Sequence, residues 1–315
     1  MWKVDLPSHD CGIKIVGTPI GHVDYIVSVG VQKLGEEAQL ISSLLKLPSI
    51  QIAWLLLYFC VVPKINHFLR TLCPCDVEII ADKHDERLFT IFRCIFNIPC
   101  EESWNDRFHL IDFSSCAYQS KMPLRFGGCG LRDSNRIAPA AYWASFADVI
   151  PIIHERFPVI GDKIFSYLSN PDGSRPIRCL DHAEKAGRCL DQFGWSIRPT
   201  WQEIKDGVRP LDISDMPACP GEFAHGWQFL ATRSLDSYSF DVLLTRFGLP
   251  STRRNAKSHN KTRLYSVRGP QAASWMLFCP VSSNFEIEND IFRCCMKYRL
   301  GVAINFEGPD CHGHF

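Results

Sequence analysis

Pro123–Phe146 reads PLRFGGCGLRDSNRIAPAAYWASF, and this stretch decides how the chain is to be read. Its glycines at 127, 128 and 130 permit left-handed backbone angles and interrupt regular structure. Pro139 then suits a first helical turn, and the alanines around Trp143 describe a helix over Ala140–Arg156 that packs closely on a neighbour. A tight turn entering a packed helix implies a helical protein.

Working outward, the flanking sequence carries the same period. After GTPIG (Gly17–Gly21), apolar residues at Val27, Val31, Leu34, Ala38, Ile41 and Leu45 alternate in steps of four and three, one stripe of an amphipathic helix. Pro48 ends it, because proline cannot donate the next backbone bond. Ile52–Val62 (IAWLLLYFCVV) is apolar all round and predicts a central buried helix; the run is too short to span a bilayer, which needs about 20 residues. Asp76 is a good N-cap for a helix to Asn97, with Val77, Ile80, Leu88, Ile91 and Ile95 on one face and Asp82, Lys83, Asp85, Glu86 and Arg87 in solvent. Ser103–Tyr118 predicts a short helix. Asn170–Gly221 is rich in proline, glycine and charge and predicts a loose connection with one helix near Leu180–Phe193. Gln271–Phe278 and Glu286–Leu300 complete the helices. The expectation is a mainly α, irregular helical assembly with few or no strands and a loop-rich middle, divided into regions 1–169, 170–222 and 223–315.

Composition bounds the function. Hydrophobic residues make up 46% and charged residues 22% of the 315, ordinary usage for a globular protein, so disorder is not the default. Lysine plus arginine and aspartate plus glutamate both number 34, so net charge gives nucleic-acid binding no support, although a local basic face remains open. Fifteen cysteines at irregular spacing, behind an N-terminal segment without an apolar core (MWKVDLPSHDCG), read as reduced residues of an intracellular protein, nuclear or cytoplasmic and not secreted. No membrane association is expected.

The chemistry-bearing residues exclude more than they suggest. Two-metal polymerase chemistry needs converging carboxylates. No adjacent Asp-Asp pair occurs, and the neighbouring acids Glu36-Glu37, Asp85-Glu86 and Glu101-Glu102 read as solvated helix charge. Cys73, Cys75 and His84 lack the paired spacing of a zinc finger, vicinal Cys294-Cys295 read as helix packing, and the Cys311, His312, His314 tail has no cysteine pair before it. No metal or other cofactor is expected. The GGCG at Gly127–Gly130 offers an exposed thiol, an anion nest or a plain tight turn, and the turn is the better reading. No GxSxG elbow, P-loop or dinucleotide fingerprint occurs. The remaining candidates are basic: Lys64, His67 and Arg70 in KINHFLR; Arg125, Arg132 and Arg136 flanking the glycine turn; and Arg253, Arg254, Lys257, Lys261 and Arg263 in the densest basic run. Such residues suit contacts to a phosphate backbone.

Six segments in order carry a resemblance: GIKIVGTPIG (Gly12–Gly21), YFCVVPKINHFLRTL (Tyr58–Leu72), PLRFGGCGLRDSNRIAPAAYWASFAD (Pro123–Asp148), HGWQ (His225–Gln228), RLYSVRGPQAASWM (Arg263–Met276) and FRCCMKYRLGV (Phe292–Val302). Together they resemble the region downstream of the polymerase palm, the thumb and connection, in reverse-transcriptase-like proteins of non-LTR-type retroelements. In that family the paired aspartates lie upstream of the GTPIG-like segment, so no catalytic residue carries over. DCHGHF (Asp310–Phe315) resembles the inside of the family's Cys/His-rich tail, without its preceding cysteine pair. The resemblance implies a noncatalytic, degenerate fragment of an RNA-directed DNA polymerase that binds RNA or RNA–DNA duplex weakly and without sequence preference. Two alternatives stand beside it: a helical protein-interaction or scaffold protein, and the misdelimited C-terminal part of an active reverse transcriptase.

Overall fold

The computed structural model describes residues 6–105, 109–170, 176–210, 226–248 and 256–304. Helices dominate, as the periodicity predicts, and the described strands form one antiparallel hairpin, Gly12–Ile15 with Thr18–Gly21, in the register Gly12↔Gly21 to Ile15↔Thr18. Two compact units are interleaved along the sequence. One is made of Met1–Glu36, Lys64–Asp85 and Asp133–Ser239; the other of Glu37–Pro63, Glu86–Arg132 and Phe240–Phe315. The consecutive regions 1–169, 170–222 and 223–315 do not coincide with them. Composition marks loops along the chain, whereas a unit is set by which segments bury their apolar faces together.

In the first unit the helix Val23–Glu36 buries Ile26, Gly30 and Leu34, one residue out of step with the expected Val27 and Val31 stripe. Gly30 explains the offset. A Cβ placed there would lie 2.3 Å from Cδ1 of Ile80, so the bare backbone is what allows the helix to seat against that side chain. A count of apolar residues passes over a glycine used in this way. Gly30→Leu is expected to destabilise the protein by about 1–3 kcal/mol, read from the urea midpoint, despite leucine's better helix propensity. The single helix expected up to Pro48 is instead two, since residue 37 separates Val23–Glu36 from Ala38–Leu44.

Helical winding continues across Pro63. Ile50–Leu56 passes into a π turn over Leu57–Val61, a 3-10 turn over Val62–Ile65 and a helix over Asn66–Thr71. The change of winding accommodates a residue that has no N–H and whose ring would collide with the carbonyl four residues back. The apolar run is thereby extended into a 22-residue helical span, long and apolar enough to cross a membrane by length and composition, although half of its most apolar window is buried within the fold.

Asp85 corrects a second expectation. The helix Pro74–Phe96 was expected to hold it in solvent, yet it is 5% exposed. Its carboxylate accepts the Ser134 backbone N–H at 2.8 Å and the Ser134 hydroxyl at 2.6 Å. That bond, with Asp133 accepting from Arg136 N at 3.1 Å, starts the next helix at Ser134, five residues before Pro139. Helix N-termini leave backbone donors without partners, and buried ones must be satisfied. Asp85→Ala is expected to cost about 1–3 kcal/mol by urea denaturation.

Trp143, fully buried on this Ser134–Arg156 helix, centres one core of the first unit, with the rings of Trp195, Trp201 and Trp227 at 5.2, 5.5 and 5.9 Å. The second unit is built around Trp54, also fully buried, whose indole N–H donates to Met276 O at 3.0 Å while Phe92 and Phe96 pack on its ring.

Candidate nucleic-acid interface

The glycine turn lies in the second unit and is held by two buried arginines. Arg299 is 1% exposed; its Nε donates to Gly128 O at 2.8 Å, Nη2 to Leu124 O at 2.5 Å and Nη1 to Ala272 O at 3.3 Å. Gln119 donates to Gly127 O at 2.9 Å and to Arg299 O at 2.8 Å. Arg263, 3% exposed, donates to the Gln119 side-chain oxygen at 2.9 Å and to Arg299 O. The bare Cα of Gly128 is required by this packing: a Cβ would stand 2.1 Å from Met122 O and 2.5 Å from Gln119 O, both backbone atoms. Burial pushes the Arg263 pKa down to about 10 and lowers that of Arg299, so the charged form of both is held at a desolvation cost. Burial raises Cys129 to about 12, which makes it a core thiol rather than an exposed nucleophile.

The same turn gathers cations and aromatic rings. The Arg125 guanidinium lies 5.0 Å from the Phe126 ring centre, and Phe126 stacks on Phe240 at 5.1 Å. Arg268 lies 5.4 Å from the Phe240 ring and 4.2 Å from that of Tyr265, which is 47% exposed. Gly269 N donates to Arg125 O at 2.9 Å, tying the two arginine-bearing segments together. Arg132, exposed and in the left-handed region at φ 61°, follows directly after the turn. Flat rings beside guanidinium groups are what a nucleic-acid backbone and its unstacked bases bind.

The sequence candidates are therefore distributed unevenly. Arg125 and Arg132 stand at the turn, and Lys261 is exposed on the helix Ala256–Ser266 of the same unit. Arg263 faces the interior of that unit and presents no charge to a ligand, contrary to its expected place in a surface run. Helix formation from Ala256 puts it on one face with buried Asn260, three residues earlier. Arg253, Arg254 and the Lys257 side chain lie outside the described residues. In the first unit Lys64 and His67 are exposed. Arg70 is engaged by Gln228 at 2.6 Å and Asp148 at 3.0 Å, and Arg136 by Asp236 at 2.8 Å and Ser239 at 3.0 Å. Sequence reasoning passed over Arg268 and Tyr265. Their spacing of three in RLYSVR, beside a second arginine, was the available signal.

Of the neighbouring acids, Asp85 is committed to Ser134, and Glu36 accepts from Lys33 at 2.7 Å, a partner that lowers its pKa. Cys73 contacts the Tyr142 hydroxyl at 3.3 Å, and Cys75 lies 3.6 Å from His182. Among the described residues no three His, Cys, Asp or Glu side chains converge to hold a metal ion, and the Cys311, His312, His314 tail lies outside them. Compared with known proteins, the chain matches no family model, and no curated protein or solved structure matches it significantly.

Proposed function

We propose that this chain is a noncatalytic nucleic-acid-binding protein of reverse-transcriptase ancestry, resembling the thumb and connection of non-LTR-type elements. The observation that carries the reading is the cluster formed by Arg125 and Phe126 of the stapled glycine turn with Tyr265 and Arg268 of the segment tied to it, Arg132 following the turn in sequence. The cluster offers guanidinium charge for phosphates and ring faces for bases, with no arrangement selective for a base edge, so binding is weak, salt-sensitive and indifferent to sequence.

Electrophoretic shifts with duplex RNA and RNA–DNA hybrid at about 50 mM salt test this. Binding is expected, and Arg125→Ala with Arg268→Ala should flatten the plot of log K against log salt by about 2. Absence of a shift at that salt, or an unchanged slope in the double variant, overturns the reading.

A second reading, a protein-interaction module, is favoured by the hairpin of the first unit. Ile13, Ile15, Val16 and Ile20 there are 51, 49, 90 and 45% exposed. Such a cluster of apolar side chains on an open two-stranded edge suits a protein partner. Concentration-dependent self-association without nucleic acid, abolished by Ile13→Lys, supports this reading; a monomer at all concentrations opposes it.

A further inference from the structure

Cys75 stands exposed in the first turn of the helix Pro74–Phe96, and the helix Arg178–Gln192 of the same unit brings two groups to its sulfur. His182 Nε2 lies 3.6 Å from Cys75 Sγ, and Arg178 Nη2 donates to the sulfur at 3.7 Å. The Asp76 carboxylate, 3.7 Å from the same sulfur, is ion-paired with Arg178, so that guanidinium offsets its charge. Burial, with Lys185 and Arg178, outweighs Asp76 and Asp181 and holds the His182 ring below the usual imidazole range. The ring is therefore neutral near pH 7 and able to accept a proton. Cys73, two residues earlier, is the contrast: it is buried against the Tyr142 hydroxyl, and burial pushes its thiol up. A thiol reacts as its thiolate, and exposure, a neighbouring base, a cation and a helix N-terminus make one nucleophilic. Cys75 has all four.

We propose that Cys75 is an oxidisable thiol, converted by a small hydroperoxide to the sulfenic acid with His182 as base and Arg178 as donor. His182 takes the thiol proton, and the sulfur attacks one peroxide oxygen. The S–O bond forms as the O–O bond breaks, so sulfur gives two electrons to the peroxide. The departing oxygen collects the proton held by His182 and leaves as water or an alcohol. The groups around the sulfur are polar, and a proton carrier beside a hydrogen-bond donor is what such a leaving oxygen needs. The site uses different residues from the Arg125–Arg268 cluster and does not depend on nucleic-acid binding.

Limiting hydrogen peroxide added to the reduced full chain with dimedone, which traps sulfenic acids, tests this by peptide mass spectrometry. Cys75 is expected to label roughly tenfold faster than Cys60, Cys94 and Cys279, which are also exposed and control for access. His182→Gln should bring Cys75 down to the rate of those three, with an unchanged urea midpoint. Should that variant misfold, the ranking of the thiols within the unaltered protein decides alone. Labelling of Cys75 no faster than the reference thiols, or an unchanged rate in folded His182→Gln, overturns the proposal.

Discussion

Arg299→Ala is expected to destabilise the protein by about 3–5 kcal/mol, seen as a marked fall in the urea midpoint or loss of the folded state at low denaturant. The magnitude comes from what the guanidinium leaves behind. Three backbone carbonyls, of Leu124, Gly128 and Ala272, lose their donor inside the second unit. The space of a large, 1% exposed side chain also opens. Nearby backbone cannot close that space easily, because the turn at Gly128 already sits against the carbonyls of Met122 and Gln119. Arg299→Lys should recover little, since a single ammonium cannot reach three carbonyls held in the plane of a fork. Arg263→Ala should cost less, because that side chain donates to only two acceptors and its buried Nε has no partner. A loss below about 1 kcal/mol for Arg299→Ala would contradict the staple. Where the variant stays folded, its nucleic-acid affinity should fall as well, for Arg125 and Phe126 are carried by the turn that Arg299 holds.

In the first unit, Trp143→Ala is expected to cost about 3–5 kcal/mol, the range for deleting a large core aromatic. Trp143 is fully buried, three indoles pack on it, and the Arg198 guanidinium lies 5.6 Å from its ring. Its indole N–H has no hydrogen-bond partner, so the contribution is packing rather than polar. Trp143→Phe should therefore cost less than half as much as the alanine variant, because it removes volume but breaks no bond. Equal losses for the two would place the energy in the indole nitrogen. Urea denaturation followed by circular dichroism distinguishes these outcomes.

Much of the fold was legible in the residues. The helix expected over Asp76–Asn97 is Pro74–Phe96, and that expected near Leu180–Phe193 is Arg178–Gln192. In both, local signals and the apolar period agree. The site was legible only in part. Arg125 and Arg132 could be picked out because they flank glycines that mark a turn, whereas Arg268 joins them through Phe240 and the Gly269–Arg125 backbone bond, contacts between segments far apart in sequence.

The sequence alone determined that this protein is helical and that its glycine-rich stretch is a turn before a packed helix, because period, caps and glycine act within a few residues. Only the tertiary structure decided which charges are usable. Asp85 and Arg263 carry the residue types of solvated surface, yet Ser134 claims one, and Gln119 with the Arg299 carbonyl claims the other. Those partners lie 49, 144 and 36 residues away, and a buried polar group is defined by its partner, which no local pattern records.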